Sequence, residues 1–149
     1  MSDQAPEQEY SLSLEDQPSH ADVMEIYNAI VAYNNQQVGD HWTGRLTIFA
    51  RDSRGAITGG IYGFTDRGWL RIEVLLVKDG WRGQGLGSHL LAAAEHEAQA
   101  RGCHSAWLDT FSFQALPFYE KRGYSVFGAL DHYPGEHSRY FVRKSLQQG

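Results

Sequence analysis

The sequence predicts an α/β domain of the α+β kind, in which helices flank a mostly antiparallel sheet. Three observations lead there. A chain of 149 residues with 42% apolar and 21% charged side chains has the size and composition of one globular domain. Between Leu46 and Val77 the apolar period is two and is broken only by short turn sequences, which reads as consecutive antiparallel strands. From Leu86 onward helical and strand patterns alternate, supplying helices to cover the sheet. Residues 1–149 therefore read as a single domain, with 1–8 as a loose N-terminal tail.

Taken in order, Tyr10 to Leu14 alternate and suggest a short first strand. Ser19-His20-Ala21-Asp22 is a capping sequence for a helix in which Val23, Ile26, Tyr27, Ile30 and Val31 share one face, ending near Asn34-Asn35. Gln36 to Gly44 is polar apart from Val38 and Trp42 and reads as a loop or irregular helix. Leu46–Ala50, Ile57–Phe64 and Trp69–Val77 follow as a meander, joined by the turns Asp52-Ser53-Arg54-Gly55 and Asp66-Arg67-Gly68. Gly59, Gly60 and Gly63 inside the middle strand point to a bulge, or to tight packing beneath a bulky neighbour. Leu86 to Arg101 is a helix that turns Leu90, Leu91, Ala94 and Ala98 to the sheet and stops at Gly102. Ser105–Asp109 is the next strand and Ala115–Arg122 a short helix ended by Gly123. Tyr124–Leu130 and Tyr140–Leu146 close the fold as strands.

Bulk properties exclude several functions. A formal charge of -5 and a pI near 5.7 disfavour a nucleic-acid partner, which needs a dense basic face, but tolerate a cationic small molecule. Cys103 is the only cysteine, so neither an internal disulfide nor a thiolate metal cluster forms, and it reads as a small buried hydrophobe. The seven histidines, among them His89, His96, His104, His132 and His137, lack metal-ligand spacing, and no metal is expected. Met1 to His20 lack the basic start and apolar core of a leader. The longest strongly apolar run, Val74 to Val77, is too short to cross a bilayer, so a cytoplasmic location without a membrane partner is expected.

The segment from Leu75 to Ser88 sets a strand, a glycine loop and a helix start in succession, which builds an anion site. Hydrogen bonds to a charged phosphate contribute about 1.5–3 kcal/mol each, against about 0.3–1 kcal/mol for the helix dipole, so the loop amides do most of the holding. Arg82 adds charge at the edge. A Walker loop is ruled out because Gly87 is followed by Ser88-His89 with no lysine. A dinucleotide fold needs glycines in GxGxxG order, whereas here they fall at Gly83, Gly85 and Gly87, after antiparallel strands.

Val77 followed by Arg82-Gly83-Gln84-Gly85-Leu86-Gly87 resembles the acetyl-CoA motif R/Q-x-x-G-x-G/A of the GNAT superfamily of N-acetyltransferases. Phe118-Tyr119-Glu120-Lys121-Arg122-Gly123-Tyr124 is similar to the FYEKxGF segment after that superfamily's fifth strand. The resemblance covers about Leu46 to Leu146. It implies a central mixed, mostly antiparallel sheet of six or seven strands whose fourth and fifth strands splay apart. Acetyl-CoA would be bound by Leu75, Leu76, Val77, Arg82, Gly83, Gln84, Gly85, Leu86, Gly87, Ser88 and Ser112. Two positions depart from the family: Asp79 replaces a common proline, and Ser112 a common asparagine beside the pantetheine arm or the substrate edge.

The same resemblance implies that pantetheine lies along Leu75 and Val77, with the Val77 N–H polarising the thioester carbonyl, and that the Tyr119 phenol protonates or hydrogen-bonds the coenzyme sulfur. A core aromatic is the alternative for Tyr119. For the base, strand alternation puts Glu73 on the side of Leu75 and Val77, where partial burial would tune it; Asp109 is the second candidate. Trp42, in a loop expected near the acceptor, is a candidate substrate contact together with Asp109. The expected activity is acetyl transfer to a primary amine, of a small cationic molecule before a protein or peptide, with a non-catalytic acetyl-CoA-binding module as the third reading. The aromatic segment Tyr133 to Phe141 could supply the edge of a homodimer.

Overall fold

The computed structural model of the chain describes residues 7–147, so the first six residues of the expected tail lie outside the described part. The described residues form two compact units, one ending at Asp40 and one beginning at His41.

The first unit holds helix α1 (His20–Val38). Ser19 caps it as its sequence predicts, its hydroxyl accepting the Asp22 N–H at 3.1 Å. The helix runs past Asn34-Asn35, the predicted end, because no residue from Asn35 to Val38 breaks it. Gly39 does, at φ 82°, and its N–H closes on the Asn35 carbonyl at 2.8 Å. Residues 10–14 form no strand. Alternation makes a strand only where a neighbouring backbone takes up its N–H and C=O groups, and no ladder includes these residues.

The second unit is a six-stranded sheet of β1 (Trp42–Arg51), β2 (Ile57–Asp66), β3 (Trp69–Val77), β4 (Ser105–Phe111), β5 (Ser125–Leu130) and β6 (Arg139–Ser145), ordered β1-β2-β3-β4-β6-β5. All neighbours are antiparallel except β3 and β4. That one parallel pair requires a crossover, which α2 (Leu86–Ala100) supplies. The helix lies on β1, β2 and β3 and buries Leu90, Leu91, Ala94 and Ala98, the four residues its period predicts. They join Leu46, Ile61, Leu70, Ile72, Leu108 and Val142 in the core. Its C-terminus is tied to the sheet by Arg101, which donates to the Arg45 carbonyl at 2.9 Å and the buried Thr65 hydroxyl at 3.2 Å. Cys103 is buried, and burial pushes its thiol pKa up. Among the described residues no helix is long and apolar enough to cross a membrane.

Two placements differ from expectation. Trp42 opens β1 instead of lying in a loop, and its ring rests on Phe64 at 5.4 Å, a cross-strand aromatic contact that extends the strand backwards. The segment Tyr133 to Phe141 offers no sheet edge to a second copy. Its strand residues belong to β6, bonded to β4 on one side and β5 on the other, and the edges are β1 and β5.

Candidate active site

β3 and β4 are hydrogen-bonded only from Trp69 opposite Ser105 to Ile72 opposite Leu108. Beyond that, β3 continues to Val77 beside β2 alone, and β4 to Phe111 beside β6 alone. The cause lies at Glu73. Gly63 pairs with Ile72 and Tyr62 with Val74, so Glu73 is the extra residue of a bulge, which bends β3 away from its parallel neighbour. Gly63 makes the bulge possible, since a Cβ there would overlap the Arg71 carbonyl.

The bulge also resets the alternation. Leu70 and Ile72 are core residues before it, and Leu75 and Val77 pack on the core after it, so Glu73 does not simply share their side as unbroken alternation predicts. Its carboxylate is exposed, without the expected partial burial, and makes no hydrogen bond or ion pair with any described residue. Glu73 and Asp109 are the first residues past the last β3–β4 pair, one on each arm at the mouth of the splay.

The backbone of β3 beyond the bulge is directional. The Lys78 N–H donates to the Thr58 carbonyl of β2 at 2.9 Å, and N–H directions alternate along a strand. The N–H groups of Leu75 and Val77 therefore point away from β2 into the gap that β4 has left. The Val77 carbonyl points the same way and accepts the Arg82 Nε–H at 3.0 Å. Leu76 lies between them with its N–H toward β2.

The glycine loop follows directly. From Arg82 through Gly83, Gln84, Gly85, Leu86, Gly87 and Ser88, seven consecutive amides donate to no acceptor among the described residues; His89 is the first bonded one, to the Gly85 carbonyl at 3.1 Å. Gly83 and Gly85 have φ of 79° and 81°, which turns these amides outward at the start of α2, and Gly85 is its N-cap without a side-chain cap. The Ser88 hydroxyl folds back to the Gly85 carbonyl at 2.9 Å. Asp79 pairs with Arg82 at 3.1 Å, both exposed, so the loop's cation is steadied at its rim.

Helix α3 (Leu116–Lys121) meets this loop at Gly87, where a Cβ would lie 3.5 Å from the Phe118 ring and 3.7 Å from Val77. The sequence thus converges glycine loop, strand edge and tyrosine helix on one spot. Tyr119 is 7% exposed, with edge contacts to Phe118 and Tyr124 at 5.1 and 5.8 Å. Its hydroxyl has no hydrogen-bond partner among the described residues. No polar side-chain atom among the described residues is both sealed and unpartnered, so that oxygen opens to solvent. Burial pushes the phenol up to about 12. Tyr124 beside it is instead committed, donating to Glu95 at 2.7 Å, and Glu95 is paired with Lys144 at 2.9 Å.

Asp109 is held by Arg139, whose Nε and Nη2 both reach Oδ1 at 2.8 Å. Ser112, just beyond β4, binds the approach to β6: its hydroxyl accepts the Ser138 N–H at 3.0 Å and lies 3.3 Å from His137 Nδ1. Trp42 is not brought to the splay. It is opposite Asp66, and Asp66 opposite Trp69, which puts it level with the closed end of the β3–β4 pair.

Residues 6–124 match the family model described as the acetyltransferase (GNAT) family. The chain belongs to the GNAT acetyltransferase family. It is 42% identical over 105 residues to an acetyltransferase of Agrobacterium fabrum, a match covering 70% of this chain and 77% of that one. It is 36% identical over 99 residues to the blasticidin-S acetyltransferase of Streptomyces morookaense, covering 66% and 73%. A crystal structure of an acetyltransferase from Agrobacterium tumefaciens superposes with a TM-score of 0.86 at 35% identity, covering 91% of this chain and 99% of that one. The chain is accordingly an acyltransferase of the GNAT kind, and its splayed mixed sheet is the GNAT fold.

Two determinants of this GNAT site escaped the sequence reading. Arg139 lies thirty residues from the Asp109 it neutralises and carries no local signal. The slip at Glu73 did have one, because Gly63 stands in the strand that faces it; placing the bulge at that glycine would have broken the alternation used to orient Glu73.

Proposed function

We propose that the chain is an N-acetyltransferase that moves the acetyl group of acetyl-CoA onto a primary amine of a small molecule. One observation carries the reading: seven unbonded amides of the glycine loop run on from a strand edge whose Leu75 and Val77 N–H groups point into an open gap. That continuity suits a diphosphate joined to an amide-bearing arm. Gly83 has open space where a Cβ would stand, leaving its backbone approachable. Acetyl-CoA supplies the acetyl group as an activated thioester.

The chain's own groups do the rest. Glu73, exposed at the mouth of the splay and unpaired among the described residues, takes the proton of the incoming ammonium, and the neutral amine is what attacks. Asp109 is the weaker candidate because Arg139 occupies it. The Val77 N–H donates to the carbonyl oxygen as negative charge gathers there. Tyr119 gives its proton to the sulfur as the C–N bond forms and the C–S bond breaks. The nitrogen loses two protons, the first to Glu73 and the second to solvent after the C–N bond has formed; the sulfur gains the Tyr119 proton, and solvent returns one to Tyr119. Ser112, at the end of β4, borders the same gap from the other arm. The name of the Streptomyces relative supports a small-molecule acceptor.

The test is a screen of amines, polyamines, amino acids, aminoglycosides and peptides for thiol release from acetyl-CoA. Turnover of small amines in preference to peptides is expected. Turnover of peptides alone would move the assignment to a protein acetyltransferase, and acetyl-CoA binding without any turnover to a binding module.

A further inference from the structure

The sheet face away from α2 carries a feature that the acetyl-transfer chemistry leaves unused. Arg45, Phe64, Arg71, Trp107 and Arg143 are successive register partners across β1, β2, β3, β4 and β6, so cation and ring alternate along one row. The Arg71 guanidinium lies 4.8 Å from the Trp107 ring and 5.7 Å from that of Phe64, and Arg143 lies 5.4 Å from Phe127. Phe64, Arg71, Trp107, Phe127, Phe141 and Arg143 line a groove of about 620 Å³. The groove's single carboxylate, Asp66, is taken by Arg67. Arg71 and Arg143 make no hydrogen bond or ion pair with any described residue.

A guanidinium placed over a ring is attracted to the ring face and leaves N–H groups free, and those groups can receive a carboxylate in a fork. Two such cations over an aromatic floor select a flat body bearing an anion. The row also lies next to the reaction. Arg71 and Trp107 form the pair just before Ile72 and Leu108, where β3 and β4 part, and Asp109 shares the face of Trp107. Arg71 is two residues from Glu73, roughly 6–7 Å along a strand.

Resting on the N-acetyltransferase reading above, we propose that the acceptor is a primary amine that also carries a carboxylate, its amine at Glu73 and its anion on Arg71 and Arg143. The positive charge expected of the acceptor is then that of its amine alone. The chain's charge agrees. From His41 on there are thirteen basic and ten acidic side chains, whereas the first forty residues hold eight acidic and no basic ones, so the -5 does not belong to the sheet.

The probes are 4-(aminomethyl)benzoate, its methyl ester and benzylamine, assayed by thiol release from acetyl-CoA, with calorimetric binding of each probe and of acetyl-CoA run alongside. The carboxylate is expected to raise kcat/KM by about 10- to 100-fold over both neutral probes, the size of one or two charge-assisted hydrogen bonds, and to do so through KM. Arg143→Gln, on an exposed side chain that the fold does not need, should remove most of that preference while leaving turnover of benzylamine and the melting temperature unchanged. Arg71→Gln should act likewise, and Arg71→Lys should restore only part. Equal kcat/KM for the three probes, a preference that survives Arg143→Gln and Arg71→Gln together, or acetyl-CoA binding with neither turnover nor binding of the carboxylate probe would each overturn the proposal and leave the transferase reading standing. Failure to bind acetyl-CoA would remove both.

Discussion

Tyr119 combines a ring sealed in the core with an oxygen that opens to solvent, and the two halves make separable predictions. Tyr119→Phe keeps the ring and its contacts with Phe118 and Tyr124. It should lower kcat by about 10²–10⁴-fold, nearer the lower figure because a thiol is a fairly acidic leaving group, with acetyl-CoA affinity and melting temperature almost unchanged. Tyr119→Ala should cost about 3–5 kcal/mol of stability as well. A fully active Phe variant would reduce Tyr119 to packing. The pH dependence follows from the same burial. With its pKa raised from 10 to about 12 in the folded state, Tyr119 ionises first in the unfolded chain. Its contribution to stability is therefore full below pH 10 and is lost between about pH 10 and 12. Urea titrations of the Phe variant should show a shallower loss across that window. Part will remain, because burial and then Glu95 push Tyr124 up as well. In kcat, no loss of activity between pH 7 and 10 should be traceable to Tyr119. The tyrosine's place was legible because its neighbours in sequence are its neighbours in space, six residues of one short helix and the glycine that ends it. Arg139 was not legible, since nothing near Asp109 in the chain announces a cation from β6.

The glycine loop and the β3 bulge are the two elements that shape the candidate site, and in each a glycine offers a test, Gly85 in the loop and Gly63 at the bulge. Gly85 has φ 81° and caps α2, so Gly85→Val meets both a disfavoured backbone and a branched side chain beside the amides. Loss of acetyl-CoA binding in calorimetry, with circular dichroism retained, is the expected result; Arg82→Ala should weaken binding less, its guanidinium being already shared between Val77 and Asp79. Normal binding by Gly85→Val would place the diphosphate elsewhere. At Gly63 the obstacle is backbone against backbone, which no side-chain rotamer relieves. Gly63→Ala should therefore destabilise the domain by about 1–3 kcal/mol, read from its urea midpoint, and lower kcat more than the same loss of stability imposed at a remote core site, because the bulge sets where β3 leaves β4. Activity falling only in proportion to folded protein would show that the splay survives without the bulge. The strands themselves were predictable from their period. Which residue of β3 is unpaired was not, because a bulge is a relation between two strands.

For the whole molecule, a compound that binds only the folded state at a hundred times its Kd adds about 2.7 kcal/mol, enough to raise the melting temperature of a domain this size by several degrees. Acetyl-CoA should give that shift in thermal denaturation, and NAD and ATP should give less; equal or larger shifts with either would sink the coenzyme assignment. At this scale the sequence alone determined the alternation of helices and strands from Leu46 onward, the glycine loop ahead of α2 and the family, since each of these is written in residues adjacent in the chain: apolar period, glycine spacing and the Phe118–Tyr124 segment. It also set the α1 cap at Ser19. Tertiary structure decided the rest. Tyr10 to Leu14 alternate like a strand yet find no ladder, and Tyr133 to Phe141 lead into an interior strand instead of an edge. The same holds for the cation and ring row from Arg45 to Arg143, whose adjacent members lie up to thirty-six residues apart in sequence and become neighbours only through strand register. Hydrogen-bond partners and register belong to pairs of strands, and a single strand's sequence specifies its faces but not the neighbour it will meet.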